Sequence, residues 1–471
     1  MGKVQKIKIS DIVLDNRIYP RSSIDHKRVA MFMENMREGF EFEPIHLETH
    51  PDEPGKYRIL DGAHRFNACK GIGQKEVRVE IIKLNGKDPL LYAAKQAIGP
   101  RLLNDEEARN TARRAYQNNP KLSSEEIGKD VGRSRQAVDN YIMDLRAAVT
   151  LDLGLKVFRM EKLGIPQERI SGRLELSRNI IRSHLVKMPE LAKSPNGDMG
   201  KGFTVSQVAE KHGWPEPLLW ALKLEGKNDL AKCEELRWEI EPFNYWDWND
   251  YDDKRFGDEW PGRIPAQIIA NTLYFFTKED DLVFDPMAGG GVVADTCLAL
   301  NRRCWSFDMA DRPDSRPEIE PYLWDIKNLK WPVSGKTRPD LIFFDPPYYK
   351  GEEEGYISKL EKEEYLKFLE AFLKLANENS KKSTRLAMIC ADWRDFWNTP
   401  AMDEIRERSI LINDYAERIK NAGWNISYLI QAPMSPERFQ GEAAAEMAKR
   451  KILGVTCRHV VIAQKAGCRL R

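Results

Sequence analysis

Cysteine is scarce in this sequence. Seven are present in 471 residues, an odd number with no Cys-x-x-Cys pair, which excludes a disulfide framework and a zinc-finger or zinc-ribbon site and fits a reducing cytoplasm. Long apolar runs are also missing: Met1 is followed by a basic, polar, strand-like segment, and no stretch approaches the roughly 18 residues that span a bilayer. The chain is therefore expected to be soluble, cytoplasmic and untargeted, with no metal site. A net charge is lacking too, because 74 Lys and Arg almost cancel 73 Asp and Glu. Any affinity for a polyanion must then come from a local patch.

What is present is enough apolar sequence to fold. Hydrophobic residues make up 42% and charged residues 31%, so burial can offset chain entropy, and the length predicts several domains rather than one core. The first region, 1–88, alternates short β-like runs (Lys6 to Ile9, Ile45 to Glu48, Lys56 to Leu60, Val77 to Ile82) with helical stretches, a small α+β pattern. The second, 89–240, is helical, and Pro189 to Gly202 reads as a loop inside it. The third, 241–471, opens on the aromatic and acidic stretch from Phe243 to Trp260. It continues with candidate strands at Leu282 to Phe284, Arg303 to Phe307, Leu341 to Phe344, Arg385 to Cys390, Ile426 to Ile430 and His459 to Ala463. Apolar strands separated by helices predict a mostly parallel sheet covered on both faces.

Phe284-Asp285-Pro286-Met287-Ala288-Gly289-Gly290-Gly291 follows a predicted strand and opens a predicted helix, where glycines let a nucleoside-type ligand approach the backbone. Asp308 ends the next strand, at a spacing that lets a carboxylate accept from both hydroxyls of a ribose. Alone, the pair reads equally as a tight turn and a surface aspartate. The next signal is sharper: Leu341-Ile342-Phe343-Phe344 ends in Asp345-Pro346-Pro347-Tyr348. Two prolines lock φ and carry no N–H, so the strand tip is rigid and its carbonyls have no competing donors beside them. The Asp345 side chain and the Pro346 carbonyl can both accept from an exocyclic NH₂, and Tyr348 offers a ring to a base turned out of a duplex.

With these residues the third region resembles the amino-group DNA methyltransferases over about 200 residues, Pro261 to Lys465. The resemblance implies S-adenosylmethionine as cofactor and a seven-stranded Rossmann-like sheet with a reversed last strand, here His459 to Ala463. It implies a cofactor loop at Asp285, Pro286, Ala288, Gly289 and Gly291, a preceding cofactor segment at Gly262 to Ile269 that includes Ile264, an acidic adenine contact at Asp325, and a catalytic tetrapeptide at Asp345, Pro346, Pro347 and Tyr348. Met287 and Gly290 depart from the family's usual Asp-Pro-Phe-x-Gly-Ser-Gly, so the aromatic contact is expected from Phe307 or from a tryptophan of the acidic stretch. No proline precedes a cysteine, which argues against cytosine-C5 chemistry. The aspartate of the tetrapeptide favours adenine N6 over cytosine N4. A DNA-binding regulator with an inert methyltransferase half is the other class, and the intact tetrapeptide argues for the enzyme.

Three segments of the second region (about 101–146, 150–188 and 203–236) fit a helix-turn-helix template of small residue, turn residue and apolar residue: Gly128, Gly132 and Val138; Ser171, Glu175 and Ile181; Ala209, Gly213 and Leu219. The first reading helix offers Ser134, Arg135, Gln136 and Asn140 and the second Ser177, Arg178, Asn179 and Arg182, types that hold phosphates or read base edges. The third offers Trp214, Pro215, Glu216, Pro217 and Leu218, with no cation, and reads as a packing module. The third region has no room for a separate recognition domain, so double-stranded DNA is expected to be read here.

The first region resembles the ParB/sulfiredoxin-like fold, at Tyr19-Pro20-Arg21, Glu43-Pro44-Ile45 and Asp61-Gly62-Ala63-His64-Arg65-Phe66-Asn67-Ala68. In that family the third box contacts nucleotide phosphates, which makes Gly62, His64 and Arg65 candidates for binding CTP; as ordinary residues, His64 and Arg65 would be hydrogen-bonded surface groups. Ala63 stands at the sulfiredoxin catalytic cysteine and excludes that activity. The expected whole is a multi-domain protein acting on DNA at the nucleoid, open to a homodimer, with no nuclease signature of its own.

Overall fold

The computed structural model describes residues 4–97, 103–248, 253–350, 357–393, 409–434, 441–450 and 453–466. Residues 249–252 of the aromatic and acidic stretch, and Cys468, lie outside the described residues. The chain divides into two compact units, Met1–Leu153 and Gly154–Arg471.

In the first unit, β1 (Val4–Lys8), β2 (Ile12–Val13), α1 (His26–Arg37), β3 (Ile45–Thr49), β4 (Tyr57–Asp61), α2 (Ala63–Gly71) and β5 (Glu76–Ile81) build a mixed sheet in the order β1-β5-β3-β4-β2. Its apolar residues, Leu47, Ile59, Val77 and Val79 with Phe66 of α2, form one core. The other core of this unit lies among α3 (Pro89–Gln96), α4 (Asp105–Asn118), α5 (Ser124–Val131) and the start of α6 (Arg135–Lys162).

The second unit continues through α7 (Gln167–Leu174), α8 (Arg178–Gly200), α9 (Val205–His212), α10 (Glu216–Lys223), α11 (Asp229–Leu236) and α12 (Ala266–Phe276). It then reaches β6 (Leu282–Asp285), α13 (Val292–Ala299), β7 (Arg303–Asp308), β8 (Ile319–Pro321), β9 (Leu341–Phe344), α14 (Lys362–Glu378) and β10 (Arg385–Ala391), and ends with α15 (Ile412–Asn421), β11 (Trp424–Pro433), α16 (Glu442–Arg450) and β12 (Cys457–Lys465). The seven strands run β11-β12-β10-β9-β6-β7-β8. All pairs are parallel except those of β12, which lies antiparallel between β10 and β11. This is the expected sheet with its last strand reversed. The strand that periodicity did not mark is β8, whose three residues are too short to show alternation.

One expectation is corrected. Pro189 to Gly202 is not a loop: α8 runs through both prolines to Gly200. Met188, Ala192, Pro195 and Asp198 recur along one buried face, and the Asp198 carboxylate is bound by Lys211 (2.6 Å) and His212 (2.9 Å). Packing and ion pairing there outweigh the cost of two missing backbone donors. Within the second unit, charged side chains from α6, α7 and α11 are anchored on or beside the large sheet. Arg302 of that sheet's β7 edge holds Asp229 through two bonds of 2.6 and 2.7 Å, and Trp305 Nε1 donates to the Gly164 carbonyl at 3.1 Å.

Candidate active site

Parallel strands present their carboxyl ends to one edge of the sheet, and ligands bind in the crevice beyond them. There the tips of β6, β7 and β9 bring Asp285, Asp308 and Asp345 to one cavity, lined also by Trp260, Gly262, Arg263, Ile264, Met287, Ala288, Gly289, Gly290, Val292, Pro346 and Pro347. The turn after β6 is closed by Ala288 N–H on the Phe307 carbonyl (2.9 Å) and by Gly291 N–H on the Ala288 carbonyl (2.8 Å). Gly289 and Gly291 have φ of 48° and 82°, the left-handed region that glycine enters without a Cβ clash.

The Asp308 carboxylate is fixed by two backbone donors, Gly289 N–H on Oδ2 and Ala310 N–H on Oδ1, each at 2.9 Å. Asp285 is different. It is fully buried, and its Oδ2 has no hydrogen-bond partner among the described residues. Burial, together with the neighbouring carboxylates of Asp308 and Asp345, pushes its pKa well above the ordinary carboxylate range. Three acidic groups around one cavity, one of them buried with an orphaned oxygen, suit a ligand that carries positive charge.

At the tip of β9, Tyr365 of α14 donates its hydroxyl to the Pro347 carbonyl at 3.1 Å. The Tyr349 ring is buried against Tyr365 and meets Trp393 edge-on, with centroids 5.4 and 5.1 Å apart. The proline pair is thus held both by its own rings and from the adjoining helix. Of the residues named from sequence, Ile264, Asp285, Ala288, Gly289, Asp308, Asp345, Pro346 and Pro347 line the cavity, whereas Pro286, Gly291, Asp325 and Tyr348 do not. The Pro286 carbonyl accepts from Trp324 Nε1 (2.7 Å), and Asp325 caps the short turn after it through Lys327 N–H (3.0 Å). Phe307 is not the aromatic wall. It is buried against Phe284 and lies under the Arg169 guanidinium. The cavity's tryptophan is Trp260, from the acidic stretch.

All three helix-turn-helix alignments fall on real helix pairs, α5–α6, α7–α8 and α9–α10, and the turn residues Gly132, Glu175 and Gly213 are all left-handed, at φ of 68°, 54° and 68°. A Cβ on Gly128 would stand 2.6 Å from the Arg133 carbonyl, which is why that position is small. Val138, Ile181 and Leu219 are buried at the helix contacts. Ser134, Arg135, Gln136 and Asn140 at the start of α6 are exposed, as are Ser177, Arg178, Asn179 and Arg182 at the start of α8. Arg135 is 3.7 Å from the half-buried Asp139, and Arg178 is 3.1 Å from the exposed Glu168. The third pair is occupied: α10 packs on α13, and Trp220 is buried under Arg255 at 5.0 Å.

In the first unit, Gly62 caps α2 at φ 95°. Arg65 is spent on the Glu43 carbonyl (2.6 Å) and the Asp61 carboxylate (2.7 Å). Only His64 of the three named residues lines the nearby cavity, where it accepts from Asp25 N–H at 3.1 Å. The cations on that cavity are Arg21, Lys27 and Arg28, of which sequence reasoning marked only Arg21, in the first box.

Comparison with known proteins agrees with this geometry. Residues 177–312 and 339–432 match the DNA methylase family, and residues 1–95 match the ParB N-terminal domain. The class is thereby defined as an amino-group DNA methyltransferase that uses S-adenosylmethionine. It carries a ParB N-terminal domain ahead of its DNA methylase domain and acts on DNA. Among solved structures, ParB from Caulobacter crescentus complexed with CTP-gamma-S is 20% identical, covers 39% of this chain and 91% of its own, and has a TM-score of 0.20. TrmN from Thermus thermophilus is 15% identical over 44% of this chain and 50% of its own, with a TM-score of 0.27. An S-adenosylmethionine-dependent methyltransferase from Clostridium acetobutylicum is 14% identical over 43% and 91%, with a TM-score of 0.28. No curated protein matches the chain. Among the described residues no helix is long and apolar enough to cross a membrane, and no acidic, histidine or cysteine cluster is arranged to hold a metal.

Proposed function

We propose that the protein methylates N6 of a flipped-out adenine within a specific DNA sequence. The observation that carries this reading is that Asp345 and Pro346 share one cavity with Gly289, Asp308 and Asp285. Bound S-adenosylmethionine would supply an electrophilic methyl group on a sulfonium. The orphaned Asp285 oxygen suits a cationic group of that cofactor, and Asp308, held by two backbone donors, suits its ribose hydroxyls; Ile264, Pro286, Ala288, Gly289, Gly291 and Asp325 complete the assignment. Asp345 and the Pro346 carbonyl accept from the two amino protons of the base and aim the nitrogen lone pair, Pro347 keeps the tip rigid, and Tyr348 stacks on the base. A neutral exocyclic amine is a poor nucleophile, so this orientation is the protein's main contribution.

Function divides along the chain into a ParB-like part (1–88), a DNA-reading part (89–240) and a methyl-transfer part (241–471). Ser134, Arg135, Gln136 and Asn140 with Ser177, Arg178, Asn179 and Arg182 serve as the DNA contacts; their exposure at two helix N-termini supports this. A nucleoside triphosphate, with CTP as the example, is assigned to the cavity of His64, Arg21, Lys27 and Arg28, and the protein works in the cytoplasm, with assembly as a homodimer left open. Transfer of labelled methyl to unmodified DNA, followed by nucleoside analysis, tests the main reading. N6-methyladenine supports it, N4-methylcytosine replaces the base, and no transfer refutes it. Saturable binding of labelled CTP to the full-length protein tests the second site, and sedimentation the dimer.

A further inference from the structure

The wall of the cavity that faces away from the strands is a strap, Gly257 to Arg263. Its contacts with the glycine loop leave no space for side chains: a Cβ on Gly257 would stand 2.3 Å from Val292 Cγ2, and one on Gly290 would stand 2.5 Å from the Asp258 carbonyl. Asp258 N–H donates to the Gly290 carbonyl at 2.9 Å, and Gly257 N–H to Asp295 Oδ2 at 2.6 Å. On this strap Trp260 lies against Gly289, where an added Cβ would be 2.8 Å from Trp260 Cδ1. The Arg312 guanidinium lies 4.5 Å from the centre of the Trp260 ring and donates to the Gly289 carbonyl.

One side chain of the strap ties it to the body of the domain. The Asp258 carboxylate accepts from Arg316 Nε at 3.0 Å and from Arg316 Nη2 at 2.7 Å. Arg316 is buried and anchored from behind by Asp295 (2.9 Å) and Glu318 (3.4 Å), so it presents a fixed fork. Asp258 is 46% exposed, so water can reach Arg316 Nε and Nη2 when it is replaced, and Arg316 keeps Asp295 and Glu318 through Nη1.

We propose that Asp258 is a positioning residue of the cofactor site, a latch that holds the strap on Arg316 so that Trp260 closes one wall of the cavity. This rests on the cavity being the cofactor's. The test titrates the full-length protein with S-adenosylhomocysteine, which binds without turnover, and measures KM and kcat for S-adenosylmethionine. In D258A the Kd and KM rise about tenfold, kcat at saturating cofactor stays within about twofold of wild type, and the unfolding midpoint is kept because Arg316 retains two carboxylates. D258N, which retains one acceptor oxygen for Arg316, falls between. W260A shows the same loss, and D258A/W260A is no worse than W260A alone. Wild-type affinity in D258A, or losses that multiply in the double variant, overturns the latch. D308A separates this from the underlying reading: if D308A binds like wild type, the cavity is not the cofactor's, whereas loss in D308A with full binding in D258A refutes the latch alone.

Discussion

Asp285 and Asp295 stand ten positions apart on one strand-turn-helix unit, both fully buried, and their surroundings drive them in opposite directions. Asp285 faces two other carboxylates and its pKa rises well above the ordinary range. Asp295 is also penalised by burial, but Arg159 and Arg316 overcome that and hold it down to about 2. Its partner Arg159 comes from α6, and the same pair of arginines also holds Glu318. The contrast teaches how one domain spends buried charge. At the helix-to-sheet contacts Asp295 and Glu318 meet cations of this chain; at the cavity the Asp285 Oδ2 has no partner among the described residues, which leaves it open to the cationic group of the proposed cofactor.

The largest expected effect falls at the third acidic group of the cavity. Asp345→Ala should lower methyl transfer by about 10²–10³-fold or more while calorimetric titration still shows cofactor binding, because the proposed assignment gives Asp345 the amine and not the ribose. Turnover at the wild-type rate would sink that role. Next is Asp295→Ala, which strips one carboxylate from two buried guanidinium groups and should cost about 3 kcal/mol of stability, read as a lowered denaturation midpoint. The sign with pH follows from its depressed value: this stability is present above about pH 4 and is lost as pH falls through about 2. Denaturant melts at pH 5 and pH 3 check it.

Asp285→Asn should do the opposite. A carboxyl whose folded pKa is raised destabilises the empty protein as pH climbs from about 3.9 toward that raised value, so the variant should be no less stable than wild type at neutral pH. It should nevertheless lose about 1.4 kcal/mol or more of cofactor affinity, a factor of ten. In the wild type, a cationic ligand favours ionised Asp285, so binding should release a proton and strengthen as pH rises. Titration in buffers of different ionisation enthalpy measures this, and an unchanged heat would break the contrast between the two aspartates. The smallest effect extends the contrast to arginines. Arg173 is anchored on Asp311 (2.6 Å) and on the Pro317 and Ile319 carbonyls (both 3.1 Å), whereas Arg178 pairs, among the described residues, with the exposed Glu168. Arg178→Ala should leave the midpoint and cofactor affinity unchanged and relax the methylated sequence by about 1 kcal/mol or more; genome-wide mapping of methylated positions reads it. A uniform loss at every sequence would make Arg178 a phosphate contact.

Much of this was legible in the residues themselves. Strand periodicity placed six of the seven strands of the large sheet, because β-branched and aromatic runs between helices leave a local signature. The glycine turn, Asp308 and Asp345-Pro346-Pro347 were legible because each demands a backbone conformation or a rigid tip that few residues supply. The turns of the three helix pairs were legible for the same reason, even at Glu175. What sequence could not determine was which long-range partners these elements would meet. No local pattern shows that Arg159, Arg169 and Arg173 would fasten α6 and α7 to the large sheet, that Trp260 rather than Phe307 would wall the cavity, that Arg65 would be taken by Asp61 and Glu43, or that α8 would run through two prolines. Those outcomes depend on partners up to 159 positions away, and only the packing of the tertiary structure decides which buried charge finds a cation and which is left waiting for one.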